Sequence, residues 1–245
     1  YTARNLIALS RLWREIRSVK DSRVRKALAF AFTNTAWHGT KMRRFNARGG
    51  QRPLTGTLYV PQLSSEVNVL QVMRNKIRQL ERYYAAYKAD DVDLPSLRIF
   101  DATNLHEVSD QSIDYIFTDP PFGSNIFYAD CNLIWEAWLG QVTDGSKEAV
   151  VNRSLGADTG GKTLNDYADI MIRSMKEMVR VLKPGGWATV VFHNTNADVW
   201  KVIYDAADAA EFVFHESGAL DRAQQSHKGY KGRSGQENVA HFDVI

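Results

Sequence analysis

The residues best suited to chemistry are Asp119, Pro120, Pro121 and Phe122, which close the run Ile113-Asp114-Tyr115-Ile116-Phe117-Thr118. That run is rich in β-branched and aromatic residues, the pattern of a strand. Two consecutive prolines donate no backbone hydrogen bond and fix φ, so the strand must stop there. Asp119 and Pro120 each precede a proline and are biased to extended conformations. The expected product is a stiff bend carrying a carboxylate, carbonyls with no local partner and one exposed ring. In open α/β sheets the carboxyl ends of strands are where ligands bind. Such a set suits an amine conjugated to a flat heteroaromatic ring. That amine is a poor nucleophile because its lone pair is delocalised. Two acceptors, the Asp119 carboxylate and the Pro120 carbonyl, can take its hydrogens and pull the nitrogen toward a pyramidal, nucleophilic state. Phe122 can stack on the ring, and stacking a base on an aromatic side chain contributes roughly 1–3 kcal/mol. The competing reading makes Asp-Pro-Pro only a strand-ending turn.

Four further groups need weighing. Gly156-Ala157-Asp158-Thr159-Gly160-Gly161-Lys162-Thr163 fits the phosphate-loop pattern letter for letter. A working phosphate loop joins a buried strand to a helix. A helix does follow, but Ala149-Val150-Val151 is only a weak strand before it. His193 and Asn194 sit where an apolar strand, Ala188 to His193, ends. They either line a pocket beside Asp119 or close a hydrogen-bonded turn. No second histidine stands at ligand spacing, so no metal is expected. Lys41, Arg43 and Arg44 belong to a basic span between Trp37 and Pro53 that holds no acid, and Lys228, Lys231 and Arg233 lie among glycines near the end. Each basic group reads as a polyanion contact or as a solvated loop.

The elements around these groups follow from spacing. Thr2 caps a helix over residues 2–19, with Leu6, Leu9, Trp13 and Ile16 on one face. Asp21 caps a second through about Asn34. Residues 64–88 form a third, capped by Ser64 or Ser65, with Val69, Met73, Ile77, Leu80 and Tyr84 as its stripe. Leu97–Phe100 reads as a short strand ending at Asp101, and Asn132–Leu139 as a helix. Thr163 and Asp166 make a capping box before Leu164, Tyr167, Met171, Met175 and Met178. Lys183-Pro184-Gly185-Gly186 reads as the glycine stop of that helix. Asn196–Ala210 is a helix, and Phe212–His215 and Ala240–Ile245 are strands. The expected division is a helical region, 1–94, and an α/β region, 95–245.

Composition narrows the class. The chain has 245 residues, 44% hydrophobic and 24% charged, which is ordinary for a globular protein. No apolar run approaches the ~18 residues of a membrane helix. The single cysteine, Cys131, excludes a disulfide framework and suggests a reducing cytoplasm. Net charge is only +3, so affinity for polyanions must come from local clusters.

Asp119-Pro120-Pro121-Phe122 after an apolar strand resembles the catalytic motif of amino-methylating, S-adenosylmethionine-dependent DNA methyltransferases. The run to Leu139, with Gly123, Asn125, Ile126, Tyr128 and Trp138-Leu139, is similar to a group of bacterial adenine-specific enzymes. So is Leu182-Lys183-Pro184-Gly185-Gly186-Trp187, with the residues through Asn194. The resemblance covers residues 95–245 well and the rest loosely. It implies part of a Rossmann-like class I methyltransferase sheet behind an N-terminal helical region. It implies methyl transfer from S-adenosylmethionine to the exocyclic amine of adenine in DNA. Asp119, Pro120, Pro121 and Phe122 are then catalytic, and Asp101, Ala102 and Asp119 face the cofactor. Lys41, Arg43, Arg44, His193, Asn194, Lys228, Lys231 and Arg233 face nucleic acid. A cytosine amine and a guanine amine in RNA remain open as acceptors. A nucleoside triphosphatase built on Gly156–Thr163 and a non-catalytic nucleic-acid-binding fragment are the rivals.

Methyltransferases of this class carry a Gly-rich turn after the first strand. Nothing of that form is found in the sequence. The chain starts at Tyr1 without methionine and stops inside a strand-like run, so it reads as a fragment. The expectation is half a cofactor site, with the missing half upstream in the same protein.

Overall fold

The computed structural model describes residues 1–47, 53, 58–86, 96–124, 126–152, 154–220 and 243–244. The chain packs as two compact units, one of residues 1–96 and 127–148, the other of 97–126 and 149–245. Residues 127–148, which the sequence groups with 95–245, thus pack with the N-terminal helices.

The first unit is helical. Helix α1 (Ala3–Ser18) starts where the Thr2 hydroxyl accepts from the Asn5 amide, and α2 (Ser22–His38) where Asp21 accepts from Arg23 and Val24. Helix α3 (Val69–Ala86) starts later than its serines suggest. Ser64 and Ser65 are drawn into antiparallel pairing with residues 43–45 instead: Ser65 N–H donates to Arg43 O (2.9 Å) and Phe45 N–H to Leu63 O (2.8 Å). Asn68 then caps the helix by accepting from Gln71. Helix α4 (Tyr128–Leu139) adds Trp135 and Trp138. Leu9, Ile16, Phe32, Ala36, Val69 and Met73 form the buried core of this unit.

The second unit is mixed α/β. Strands β1 (Ile113–Thr118) and β2 (Leu182–Val190) pair in parallel, with Tyr115 opposite Trp187 and Thr118 opposite Val190. Helix α5 (Leu164–Val181) lies in the crossover between them, and α6 (Ala197–Ala209) follows β2. The capping box is as expected, with Thr163 and Asp166 each accepting from the other's backbone amide. Tyr167, Met171 and Met175 of α5 bury against Val199, Val202, Ile203 and Ala206 of α6 and against Phe192. Among the described residues this unit and the first hold six α-helices.

Four expected boundaries change. The Lys183–Gly186 run does not stop a helix. The strand begins directly at Leu182, and the register slips between Ile113 and Tyr115, so the run forms a bulge with Gly185 at φ +76°. A glycine serves either purpose, because both need left-handed backbone. Leu97–Phe100 pairs with no strand among the described residues, and the side chains of Leu97 and Ile99 are almost wholly exposed. Phe212–His215 likewise joins no strand among the described residues; the short antiparallel pair there is β3 (Ala219–Leu220) with β4 (Asp243–Val244). Ala149–Val151 forms no strand either, although Val150 and Val151 are buried. No helix among the described residues is long and apolar enough to cross a membrane.

Candidate functional site at the carboxyl end of the parallel pair

Strand β1 delivers Asp119–Phe122 to its carboxyl end, and Val191 N–H donates to Thr118 O (2.9 Å) where the pairing with β2 ends. The bend is then held from three sides. The Tyr167 hydroxyl of α5 donates to Pro121 O at 2.6 Å. The Asn194 side-chain amide donates to Phe122 O at 2.9 Å. Val151 N–H donates to Gly123 O at 3.1 Å. So the carbonyls of 118, 121, 122 and 123 are each taken. The Pro120 carbonyl accepts no hydrogen bond among the described residues. It stands next to Asp119, whose side chain is exposed. A carboxylate and an uncommitted carbonyl on adjacent residues form the kind of double acceptor that a flat amine requires.

Phe122 is half-buried. Its ring meets Phe192 edge-on at 5.1 Å and His193 at 6.4 Å between centroids. The ring therefore has a packing role on one side, whatever it does on the other. Asn194 adopts the turn role. Its Oδ1 accepts from Asn196 N–H (2.7 Å) and its backbone carbonyl from the Trp200 indole (2.8 Å), besides the bond to Phe122. The parallel pairing thus brings His193 and Asn194 to the Asp-Pro-Pro-Phe bend.

Two residues of this arrangement escape a sequence reading. Tyr167 appears there only as one member of an apolar stripe, yet it is fully buried and its hydroxyl fixes the bend. The available signal is general: a buried tyrosine needs a partner for its hydroxyl. Trp200 holds the turn at Asn194 through its indole N–H, and nothing in its spacing announces that.

The other candidates lie elsewhere. Asp101 closes a turn: its carboxylate accepts from the Thr103 amide (2.9 Å) and hydroxyl (2.7 Å). Asp101 and Ala102 follow the 97–100 segment, which joins no strand among the described residues, so no sheet edge there carries them. The segment after them is anchored on α5, where Glu177 accepts from Leu105 N–H (2.7 Å) and Arg180 donates to Leu105 O (2.9 Å) and Val108 O (3.1 Å). The Arg180 hydrogen bond and the Leu105 amide hold the Glu177 carboxyl below the usual range. In the first unit Lys41 and Arg44 are exposed, while Arg43 is half-buried with its Nε on Ser65 Oγ (3.2 Å). Lys228, Lys231 and Arg233 lie outside the described residues.

The Gly156–Thr163 loop closes on itself. Gly161 N–H (2.9 Å) and Thr159 N–H (3.0 Å) both donate to Gly156 O. A Cβ at Gly161 would lie 2.1 Å from the Leu155 carbonyl oxygen, so this glycine serves the loop's own closure. The Thr163 amide and hydroxyl both donate to Asp166 (2.7 Å each). These hydrogen bonds and the Lys162 charge hold the Asp166 carboxyl below the usual range. The amides of Thr159, Gly161 and Thr163 are thereby engaged within the protein.

Cys131 is half-buried on α4. Burial, then the Asp130 and Glu148 charges, push its thiol up, so it stays protonated and a weak nucleophile. A nucleoside cofactor of the size of S-adenosylmethionine fits the described residues only in part. The Asp119 side chain is exposed on the bend. The glycine after the bend, Gly123, approaches Val199 of α6, with a Cβ position 3.2 Å from Val199 Cγ1, and offers no cradle for a ligand.

No known family model matches the chain, no curated protein matches it, and no solved structure matches its fold.

Proposed function

We propose that this chain is the catalytic part of a Rossmann-like, amino-methylating DNA methyltransferase acting on the exocyclic amine of adenine. One observation carries the reading: in a bend where the carbonyls of Thr118, Pro121, Phe122 and Gly123 are engaged, the carbonyl of Pro120 is left uncommitted beside the exposed carboxylate of Asp119. In this reading Asp119 and Pro120 O accept the two amine hydrogens and orient the nitrogen lone pair. Phe122 presents the ring side that Phe192 does not cover. Tyr167 and Asn194 fix the bend from behind, so that the acceptors need no reorganisation as charge develops. S-adenosylmethionine would supply an electrophilic methyl group on a sulfonium centre, whose positive charge vanishes on transfer. A base in a duplex has to be unstacked to reach such a bend. The raised Cys131 thiol speaks against ring-carbon methylation, which needs a thiolate. The self-closed Gly156–Thr163 loop gives a nucleoside triphosphatase no support.

The test is methyl transfer from radiolabelled S-adenosylmethionine to DNA and, separately, to RNA, by the protein in the length its gene encodes. Label on the adenine amine, lost in Asp119→Ala, is expected. Label on cytosine or on RNA guanine would move the acceptor. Failure to label either nucleic acid would overturn the reading.

A further inference from the structure

The first unit contains a cavity that involves none of the residues of the Asp119 bend. Residues of helices α2, α3 and α4 line it as a half-open cleft of about 360 Å³, within the span of small-ligand sites. Phe30, Asn34 and Trp37 face it from α2, spaced i, i+4 and i+7; Lys76 and Gln79 face it from α3, and Trp135 from α4. The walls thus carry three aromatic rings, two carboxamides and an ammonium, and no carboxylate. One ring is fixed: the Trp135 indole N–H donates to Thr33 O at 3.1 Å. One amide is oriented, because Gln79 Oε1 accepts from Lys76 Nζ at 2.9 Å, which turns its amide hydrogens to other acceptors. Asn34 Oδ1 is buried with no hydrogen-bond partner. That oxygen has no accessible surface, so Asn34 meets the cavity through its other atoms.

The chemistry of these walls selects a ligand class. Aromatic rings favour a flat partner. Carboxamides read the donor and acceptor edge of a heteroaromatic ring. The ammonium and the absence of any carboxylate favour an anion and disfavour a cation. We propose that this cavity binds a nucleobase together with its phosphate, as a free nucleotide or as one unstacked nucleotide of a single strand. This site is independent of the Asp119 bend and does not require methyl transfer.

Trp37 and Trp135 make fluorescence the natural readout. The intact chain is titrated with adenosine monophosphate, cytidine monophosphate, inorganic phosphate alone and a single-stranded oligodeoxynucleotide. Saturable quenching by the nucleotides but not by phosphate is expected. Gln79→Leu, at an exposed position, should weaken binding about tenfold or more. Lys76→Met should weaken the monophosphate more than the bare nucleoside. Tighter binding of the oligonucleotide identifies a strand as the source, and equal binding of the monophosphate identifies a free nucleotide; either outcome supports the site. Absence of saturable quenching by any probe overturns it. So does unchanged binding in Gln79→Leu.

Discussion

The Tyr167 hydroxyl donates to the Pro121 carbonyl at 2.6 Å, across 46 residues of chain, from a side chain with no solvent exposure. This bond ties the buried face of α5 to the bend after β1. Tyr167→Phe would keep the ring and remove the hydroxyl that donates to Pro121 O. A cost of about 0.5–1.5 kcal/mol in unfolding free energy is expected. Urea unfolding checks it, and an unchanged midpoint would show that Pro121 O finds another donor.

Asp119→Ala removes an acceptor from an exposed position on the bend. If Asp119 takes an amine hydrogen, methyl transfer should fall by roughly a hundredfold or more. Activity within a few-fold of wild type, with an unchanged melting temperature, would remove Asp119 from the mechanism.

Phe122 has two sides, and two substitutions separate them. Phe122→Tyr should retain both packing and stacking, with its hydroxyl on the accessible side. Phe122→Ala should cost stability through the lost contact with Phe192, and should also weaken base capture by roughly 1–3 kcal/mol. Paired measurements of melting temperature and DNA affinity distinguish these effects. A loss of stability with unchanged affinity would make Phe122 a core residue only.

Much of this arrangement is legible in the sequence, for reasons that are local. Thr2, Asp21 and the Thr163–Asp166 box act within a turn of their helices, so type and spacing suffice. The proline pair ends β1 by covalent geometry alone. The failures are non-local. Ser64 and Ser65 look like caps, and the pairing with Arg43–Phe45 claims them instead. Leu97–Phe100 and Phe212–His215 have strand composition, but a strand exists only where a neighbour supplies hydrogen bonds. The same holds at the site. Asp119 and Phe122 can be found from the motif, whereas Tyr167 and Asn194 matter through contacts 46 and 72 residues away.

Glu177 links stability to pH. Its carboxyl is held below the usual value by Arg180 and the Leu105 amide, so its contribution is present above the unfolded glutamate value of about 4.3. That contribution is lost as pH falls from there through the lower folded value. Glu177→Gln should therefore be less stable than wild type at pH 7, and the gap should shrink as pH drops below about 4. Denaturant midpoints measured across that window test it. A gap that stays constant to pH 3 would mean that the charge of Glu177 does not anchor the segment.

The basic span separates charge from structure. Lys41 and Arg44 are exposed, but Arg43 is half-buried with its side chain on Ser65 and its backbone paired to the same residue. If this surface touches a nucleic-acid backbone, each phosphate contact releases counterions, and removing one should lower the slope of log affinity against log salt by about 0.9 for duplex DNA. Lys41→Gln and Arg44→Gln should each show that change with little effect on melting. Arg43→Gln should instead loosen the pairing of residues 43–45 with 63–65 and lower the melting temperature, with a smaller change in slope. Lys228, Lys231 and Arg233 are tested in the same way, as a triple substitution. Salt slopes that remain equal to wild type in Lys41→Gln, Arg44→Gln and the triple variant would take both basic groups out of nucleic-acid contact. A slope change in Arg43→Gln alone would reverse the assignment of roles within the span.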